Sequence, residues 1–233
     1  MLLTLPIREV LPATPRARIV RLDLEGRSLC YEPGQALAIA THGIEPRRPY
    51  SIASSPEETA RTGVIELLIG VGANGEPGSH LQLTVGTRVD VEGPIGGFTF
   101  VDRHTVAKPG LLFVAGGTGI APLRSMLQHA LALGFQDIGV LYSARTPDDL
   151  AYEGELRTLQ AQGRIDLQLT VTRQAAPTWS GTRGRIDAGL LRRLLRGRET
   201  FCYVCGPRPL VEEMPKALAD LGVPADHIRI EEW

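Results

Sequence analysis

Short apolar runs separated by turn signals fill the first hundred residues of the chain. The runs are rich in β-branched residues, and glycine and proline punctuate them at 33–34, 72–78 and 93–97. Closely spaced strands with no long amphipathic stretch between them are typical of a small antiparallel barrel. The predicted strands are 16–24, 36–41, 49–53, 64–71, 88–91 and 98–101, and 79–83 is a candidate for one helical turn.

From about Gly110 the pattern changes to continuous apolar strands that alternate with helical stretches. Strands are predicted at 111–115, 138–143, 165–171, 201–205 and 228–231, and helices at 122–133, 152–162, 188–195 and 209–221. This alternation indicates an α/β fold with a doubly wound parallel sheet. Because the segment that starts at residue 104 is polar and ends in the pair Pro109-Gly110, we expect a barrel domain at 1–103, a linker at 104–110 and an α/β domain at 111–233.

Composition and charge exclude some function classes. A formal net charge of −1 gives no global attraction to nucleic acid or to an anionic membrane. No apolar run approaches the ~18 residues of a membrane span, and the N-terminus lacks a secretion signal, so we expect a cytoplasmic protein. Of the 25 basic residues only Lys108 and Lys216 are lysine, so a single arginine is weak evidence of a phosphate site.

The three cysteines, Cys30, Cys202 and Cys205, have neither the pairing of a disulfide framework nor the spacing of a zinc site. Four cysteines would be needed for a plant-type iron–sulfur cluster. We therefore expect no metal site in this chain.

A glycine-rich loop, Gly116-Gly117-Thr118-Gly119-Ile120-Ala121-Pro122, directly follows an apolar strand and precedes a helix. Glycines let the backbone approach a pyrophosphate, and a helix N-terminus supplies free N–H groups. The spacing differs from the usual dinucleotide-binding fingerprint, and a tight strand–helix turn is the alternative interpretation.

A second motif, Arg48-Pro49-Tyr50-Ser51, lies on a predicted strand of the barrel. Arg48 and Tyr50 share one face of that strand, where a cation and an aromatic ring suit a flavin nucleotide. The alternative is an edge strand with a solvated arginine and a half-buried tyrosine.

Two further candidates lie near the predicted catalytic edge of the α/β sheet. Cys205-Gly206-Pro207 ends one strand, and Glu231-Glu232-Trp233 ends the chain. The Cys205 turn and the Gly116 loop should line one crevice, because ligands of open α/β sheets bind beyond the carboxyl ends of the strands. Alone, Cys205 is as well explained as a small buried apolar residue, and Trp233 as a frayed end.

Taken in order, these motifs resemble the ferredoxin–NADP reductase superfamily over essentially the whole chain. Gly93-Pro94-Ile95-Gly96-Gly97-Phe98 is similar to the turn that closes the barrel in that family. The resemblance implies bound FAD on the barrel and NADPH or NADH on the α/β domain. It also implies an enzyme that passes hydride from the nucleotide to FAD and then electrons, one at a time, to an external acceptor such as ferredoxin, flavodoxin or an oxygenase component.

The same resemblance implies roles for individual residues. Tyr50 would stack on the flavin ring with Pro49 beside it, Ser51 would lie near flavin N5, and Arg48 would pair with the pyrophosphate. Backbone N–H groups of a loop containing Gly75, Gly78 and Ser79 would bind phosphate. In the second domain, NAD(P)H would lie against Gly117, Thr118, Gly119, Cys205, Gly206 and Pro207, with Glu231 beside the nicotinamide and Trp233 shielding the flavin.

The choice between NADPH and NADH depends on arginines. Arg145 follows a predicted strand at the position from which NADPH-using relatives contact the 2′-phosphate, Arg173 and Arg185 could complete a basic pocket, and Tyr152 could stack on adenine. A planar guanidinium suits phosphate, so the pattern favours NADPH, although NADH-using oxygenase reductases have similar runs. Two alternatives to the reductase remain: an enzyme that reduces free flavin, and an electron-transfer subunit of a larger complex.

Overall fold

The first half of the chain forms an antiparallel sheet whose two ends meet. The computed structural model describes residues 2–72, 75–100, 109–173, 179–197 and 199–232. The sheet has the strand order β4-β3-β6-β1-β2-β5, and Ile52 bridges to Leu67 to join its ends into a barrel. Its elements are β1 (Leu2–Thr14), β2 (Ala17–Asp23), β3 (Ala36–Thr41), β4 (Arg48–Ser51), α1 (Pro56–Thr62), β5 (Val64–Gly70) and β6 (Arg88–Ile95).

Alternating side chains of these strands fill the barrel interior. Leu5 and Ile7 of β1 are fully buried, as are Val20 and Leu22 of β2, which has the period of two expected of a strand with one covered face. Apolar side chains from β3, β5 and β6 complete this core. The antiparallel barrel predicted from the sequence is confirmed.

Three details of the barrel differ from the prediction. β1 was not predicted, because Pro6 and Pro12 interrupt its pattern; the strand instead shifts register near both ends of its pairing with β2. Residues 98–100 form no strand, although Phe98 and Phe100 are buried, and residue 101 lies outside the described residues. Of residues 79–83, the first two form a turn and the rest have no regular structure, so the expected helical turn is absent.

The short helix α1 was also not predicted, although its sequence contains both end signals. Ser55 and Glu58 form a reciprocal capping box, Pro56 occupies the first turn, and Gly63 ends the helix in the left-handed conformation. The helix is seven residues long and buries only Thr59 among its side chains, so it has no apolar stripe to reveal it.

The second half contains six parallel strands in the order β10-β9-β8-β7-β11-β12. The order reverses between β7 and β11, which is where ligands of such sheets bind. The elements are β7 (Leu111–Gly116), α2 (Ile120–Ala132), β8 (Ile138–Ala144), α3 (Glu153–Ala161), β9 (Asp166–Val171), β10 (Thr182–Arg183), α4 (Ala188–Leu194), β11 (Phe201–Gly206), α5 (Arg208–Asp220) and β12 (Ile228–Glu232). The predicted doubly wound sheet is confirmed, with the two-residue β10 added at one edge.

The chain divides into two compact units. The first comprises Met1–Val101 together with Arg124–His129, and the second comprises Asp102–Leu123 together with Ala130–Trp233. Most of the linker predicted at 104–110 lies outside the described residues. Among the helices that the structure describes, none is long and apolar enough to cross a membrane.

Candidate functional site

The arginine–tyrosine–serine motif forms strand β4 at one end of the barrel sheet. Pro49, Tyr50 and Ser51 lie opposite residues of β3 in an antiparallel register. Arg48 is exposed and makes no ion pair with another described residue, whereas Tyr50 and Ser51 are half-buried. The strand therefore presents a cation next to an aromatic ring, an arrangement common to the flavin-binding interpretation and to that of a solvated edge strand.

Tyr50 is held by His80, a residue that the sequence did not single out. The Tyr50 hydroxyl lies 2.8 Å from Nε2 of His80, and the two ring planes are within 9° of parallel. His80 is only 4% exposed, and burial, followed by the charge of Arg48, lowers its pKa. Burial also raises the pKa of Tyr50, so a neutral imidazole meets a protonated hydroxyl.

The loop before His80 contains two glycines with positive φ angles. Gly75 and Gly78 have φ angles of 80° and 127°, which only glycine adopts without strain. The Gly72 N–H donates to the Glu76 carbonyl at 3.0 Å and closes the loop, and Ser79 is exposed. The cation, the ring and this glycine loop are the parts that a flavin dinucleotide requires, so the residues present fit FAD.

In the second unit, the glycine loop after β7 packs against the loop after β11. A Cβ atom on Gly119 would collide with the Cys205 carbonyl group, 2.6 Å from its carbon, and would lie 2.8 Å from the Gly206 nitrogen. Gly206 in turn would bring a Cβ within 3.1 Å of the Gly116 backbone. The structure thus brings the two predicted loops together at the point where the strand order reverses.

The same loop leads into helix α2 in a way that suits an anion. Gly117–Gly119 form a 3-10 turn, with Gly117 in the left-handed region at φ 56°. No acidic residue occupies the 3-10 turn or the first turn of α2, so no carboxylate repels an anion from this helix end. The closely packed glycines and this helix end fit the pyrophosphate of a nicotinamide dinucleotide.

The Tyr142 hydroxyl holds the Gly117–Gly119 loop through a hydrogen bond, a role that was not predicted from the sequence. The hydroxyl donates to the Gly117 carbonyl at 2.9 Å and accepts from the Ala151 N–H at 3.2 Å. The side chain is fully buried, which raises its pKa. The signal in the sequence was a tyrosine hydroxyl within a buried strand, but its partner Gly117 lies 25 residues away.

Cys205 and Glu231 are neighbours in the register of β11 and β12. The Cys205 thiol lies 3.9 Å from Oε2 of Glu231. Cys205 is 1% exposed and burial raises its pKa, so it is a protonated thiol at neutral pH rather than a nucleophile. Burial also raises the pKa of Glu231 to about 7, against a weaker lowering effect of the thiol.

The arginines predicted to bind a 2′-phosphate follow neighbouring strands. The Arg173 N–H donates to the Arg145 carbonyl at 2.8 Å, and both side chains are exposed without an ion pair to another described residue. Arg185 instead approaches Glu213, at 3.3 Å. Tyr152 caps α3 with a φ of 60° and has a buried hydroxyl.

Comparison with known proteins agrees with this geometry. Residues 5–100 match the oxidoreductase FAD-binding domain family, and residues 113–216 match the oxidoreductase NAD-binding domain family. The chain is 33% identical over 236 residues to ferredoxin–NADP reductase B of Sorangium cellulosum (strain So ce56), covering 96% of this chain and 94% of that protein. The chain belongs to the ferredoxin–NADP reductase superfamily. It is an FAD-dependent NAD(P)H reductase.

Other members of the superfamily are similar over most of the chain. The reductase component of propane 2-monooxygenase from Rhodococcus jostii (strain RHA1) is 29% identical over 208 residues, covering 85% of this chain and 54% of that protein. The solved FAD/NAD-binding domain of nitric oxide dioxygenase from Vibrio cholerae O1 biovar El Tor has a TM-score of 0.83 at 22% identity, covering 99% and 98% of the two chains. At that identity the likeness concerns the fold alone.

All of the predicted site residues except Trp233 lie within the part of the chain that the structure describes. In the first unit the structure adds His80 to the predicted set, and in the second it adds Tyr142. The individual roles inferred from the family resemblance stay predictions, which the experiments below address.

Proposed function

We propose that this chain oxidises NADPH, holds FAD on its barrel, and delivers electrons singly to a separate protein, either a ferredoxin or flavodoxin or the oxygenase component of a monooxygenase system. FAD supplies the hydride acceptor and the one-electron donor of this reaction. The protein supplies binding, orientation and exclusion of water.

On the barrel, strand β4 and the glycine loop would bind the pyrophosphate and the flavin ring of FAD. The exposed guanidinium of Arg48 and the left-handed glycines at 75 and 78 suit the pyrophosphate, because both offer N–H donors to an anion. The half-buried ring of Tyr50 suits the flat face of the flavin, and Pro49 and Ser51 flank it on β4.

In the second unit, the loop of Gly117–Gly119 suits the pyrophosphate of the nucleotide, with Gly206 and Pro207 forming the opposite wall. Thr118 lies in the turn itself. Cys205 and Glu231 are the chain's candidates for flanking the nicotinamide. Because its carboxyl titrates near neutrality, Glu231 can take up a proton from solvent, or release one to solvent, at its carboxyl oxygens.

The preference for NADPH rests on one observation, the backbone hydrogen bond that sets Arg173 directly beside Arg145. Two exposed guanidinium groups following adjacent strands provide more donors than the neutral ribose of NADH can use. A 2′-phosphate uses them fully. Arg185 and Tyr152 are secondary candidates, for the phosphate and for adenine.

A separate acceptor protein is supported by the relatives. One is a ferredoxin–NADP reductase, and another is the reductase component of a propane monooxygenase. The present chain has three cysteines, fewer than a four-cysteine cluster needs. Its electrons would therefore pass to a partner rather than to a cluster within the chain.

An anaerobic absorbance titration of the purified protein tests this proposal. Flavin that co-purifies and is bleached by substoichiometric NADPH, but more weakly by NADH, is the expected result. Bleaching that favours NADH would overturn the nucleotide assignment. A colourless protein that oxidises NADPH only with added free flavin would indicate a flavin reductase, and bound flavin that neither nucleotide bleaches would indicate a subunit of a larger complex.

A further inference from the structure

The hydrogen bond between Tyr50 and His80 joins the two segments that carry the FAD proposal. Tyr50 belongs to β4, and His80 directly follows Ser79 at the end of the glycine loop. The main chain of His80 is also anchored, because its carbonyl accepts from the Thr41 N–H of β3 at 2.9 Å. The Thr41 hydroxyl accepts a hydrogen bond from the backbone N–H of Gln82, two residues after His80, at 2.8 Å.

The chemistry of His80 is unfavourable for a residue with only a packing role. Its Nδ1 atom is buried and has no hydrogen-bond partner among the described residues. A neutral imidazole always carries one N–H and one acceptor nitrogen, so burying Nδ1 unpaired costs free energy that an apolar side chain would avoid. The bond from Nε2 to Tyr50 is what the histidine gains in exchange.

We propose that His80 is the positioning residue of the flavin site, which fixes the ring plane and the hydroxyl of Tyr50 before FAD binds. This inference rests on the proposed FAD-binding function. His80 does not need to touch the cofactor, since it acts through Tyr50. With its proton engaged by Nε2, the Tyr50 oxygen faces a ligand as a hydrogen-bond acceptor, and the ring is held in one orientation for stacking.

The lowered pKa of His80 agrees with this role, because a neutral imidazole can accept a hydrogen bond from the Tyr50 hydroxyl. Arg48, on the same strand as Tyr50, contributes to that lowering. The cation expected to bind the pyrophosphate thus adds to the effect of burial in disfavouring the charged form of His80.

A double-mutant cycle tests the proposal. His80→Phe keeps a ring of similar size but removes both nitrogens, Tyr50→Phe removes only the hydroxyl, and His80→Gln retains a side-chain hydrogen-bonding group. FAD affinity is measured by quenching of flavin fluorescence, and the visible spectrum of the bound flavin is recorded. H80F should weaken FAD binding about fivefold, as one lost hydrogen bond would, and should change the spectrum. H80Q should restore most of the affinity, and H80F in the Y50F background should cause no further loss.

A second readout needs no flavin. The ¹⁵N shifts of the His80 ring in the flavin-free protein should indicate a hydrogen-bonded Nε2, and Y50F should remove that signature. Should H80F fail to fold in thermal unfolding controls, His80→Leu takes its place. A wild-type protein that binds FAD tightly while H80F binds it equally well, or an H80F loss that persists unchanged in Y50F, would overturn the role of His80 alone. A wild-type protein that binds no FAD would overturn the proposed function itself.

Discussion

The Cys205 thiol lies 3.9 Å from a carboxyl oxygen of Glu231, because their strands β11 and β12 run in parallel with these residues in register. Burial favours the neutral form of both groups: it raises the pKa of the thiol well above neutrality and raises that of the carboxyl to about 7. The pair is thus set to change its charge near neutral pH, through Glu231.

This titration gives a stability effect of defined sign. Glu231 binds a proton more tightly in the folded than in the unfolded chain, where its pKa is about 4.5. The stabilising contribution of Glu231 to the free energy of unfolding is therefore fully present below pH about 4.5 and is lost as the pH rises through about 7. Glu231→Gln, which stays neutral, should gain about 1 kcal/mol in unfolding free energy relative to wild type between pH 5 and pH 8, after allowance for the partial exposure of the group.

Urea unfolding of both proteins at pH 5, 6, 7 and 8 measures this difference. Glu232→Gln is the matched control, because Glu232 is exposed and adjacent in the sequence. It should leave the pH dependence of wild type unaltered. A stability difference between E231Q and wild type that does not change with pH would contradict the assignment.

The contact of Gly119 with the β11 backbone predicts a clear effect of one methyl group. Gly119→Ala should cost about 2 kcal/mol, because main-chain atoms on the far side cannot yield as a side chain would. It should also weaken NADPH binding by displacing the loop. Gly154→Ala is the control: nothing lies within 4 Å of a Cβ there, and in helix α3 it should stabilise by about 0.5 kcal/mol. Thermal unfolding and NADPH titration measure both variants, and a neutral G119A would contradict the packing described.

Removing the Tyr142 hydroxyl should affect both stability and nucleotide affinity. Tyr142→Phe leaves the Ala151 N–H without its buried partner and removes one of the two hydrogen bonds to the Gly117 carbonyl, which keeps the bond from the Ile120 N–H, at a cost of about 1–3 kcal/mol. Tyr31→Phe removes a comparable buried hydroxyl, bonded at 2.9 Å to Ser54 in the first unit. Y31F should lose similar stability while its NADPH affinity stays at the wild-type level. Equal NADPH affinities for Y142F and wild type would show that the loop does not depend on this support.

Arg145→Gln and Arg173→Gln test the choice of nucleotide. Each should lower kcat/KM for NADPH about tenfold more than for NADH, since a charge-assisted contact to phosphate is lost only with NADPH. Arg157→Gln, on the surface of α3 and paired with Glu153, is the control and should change neither value. Steady-state kinetics with both nucleotides decide the matter, and parallel losses for NADPH and NADH would rule out a 2′-phosphate role.

The sequence predicted those parts of the fold whose cause is local. Apolar strands such as β7 and the glycines that end them are visible in any short window of the chain. β1 was not, because Pro6 and Pro12 disturb its own pattern and the strand is defined by its pairing with β2 and β6. Tertiary pairing outweighed local preference there.

The residues of the candidate site likewise differ in whether the local sequence predicts them. The Gly117–Gly119 loop and the Arg48–Ser51 strand are continuous in sequence, so their residue types alone identified them as candidates. His80 and Tyr142 act through partners 30 and 25 residues distant, and no periodicity connects such pairs. Side chains that support a binding loop are for this reason harder to predict than the loop.

Strand β4 ends at the seam where the barrel closes, and this seam should open locally more readily than the rest of the barrel. β4 has four residues, and beyond its end the seam to β5 is held by the Ile52–Leu67 bridge and by three hydrogen bonds between Glu66 and residues 53–54. The N–H groups of Ala53 and Ser54 donate to the Glu66 carbonyl at 2.8 and 3.4 Å, and the Glu66 N–H donates to the Ser54 hydroxyl at 3.1 Å. Few bonds protect such a seam, so its amides should exchange with solvent sooner than those of the long β1–β2 pairing. A cofactor bound along β4 would then stabilise the closed barrel at this seam. In the protein without FAD, the rate of opening at the seam would limit the lifetime of the folded state before the cofactor binds.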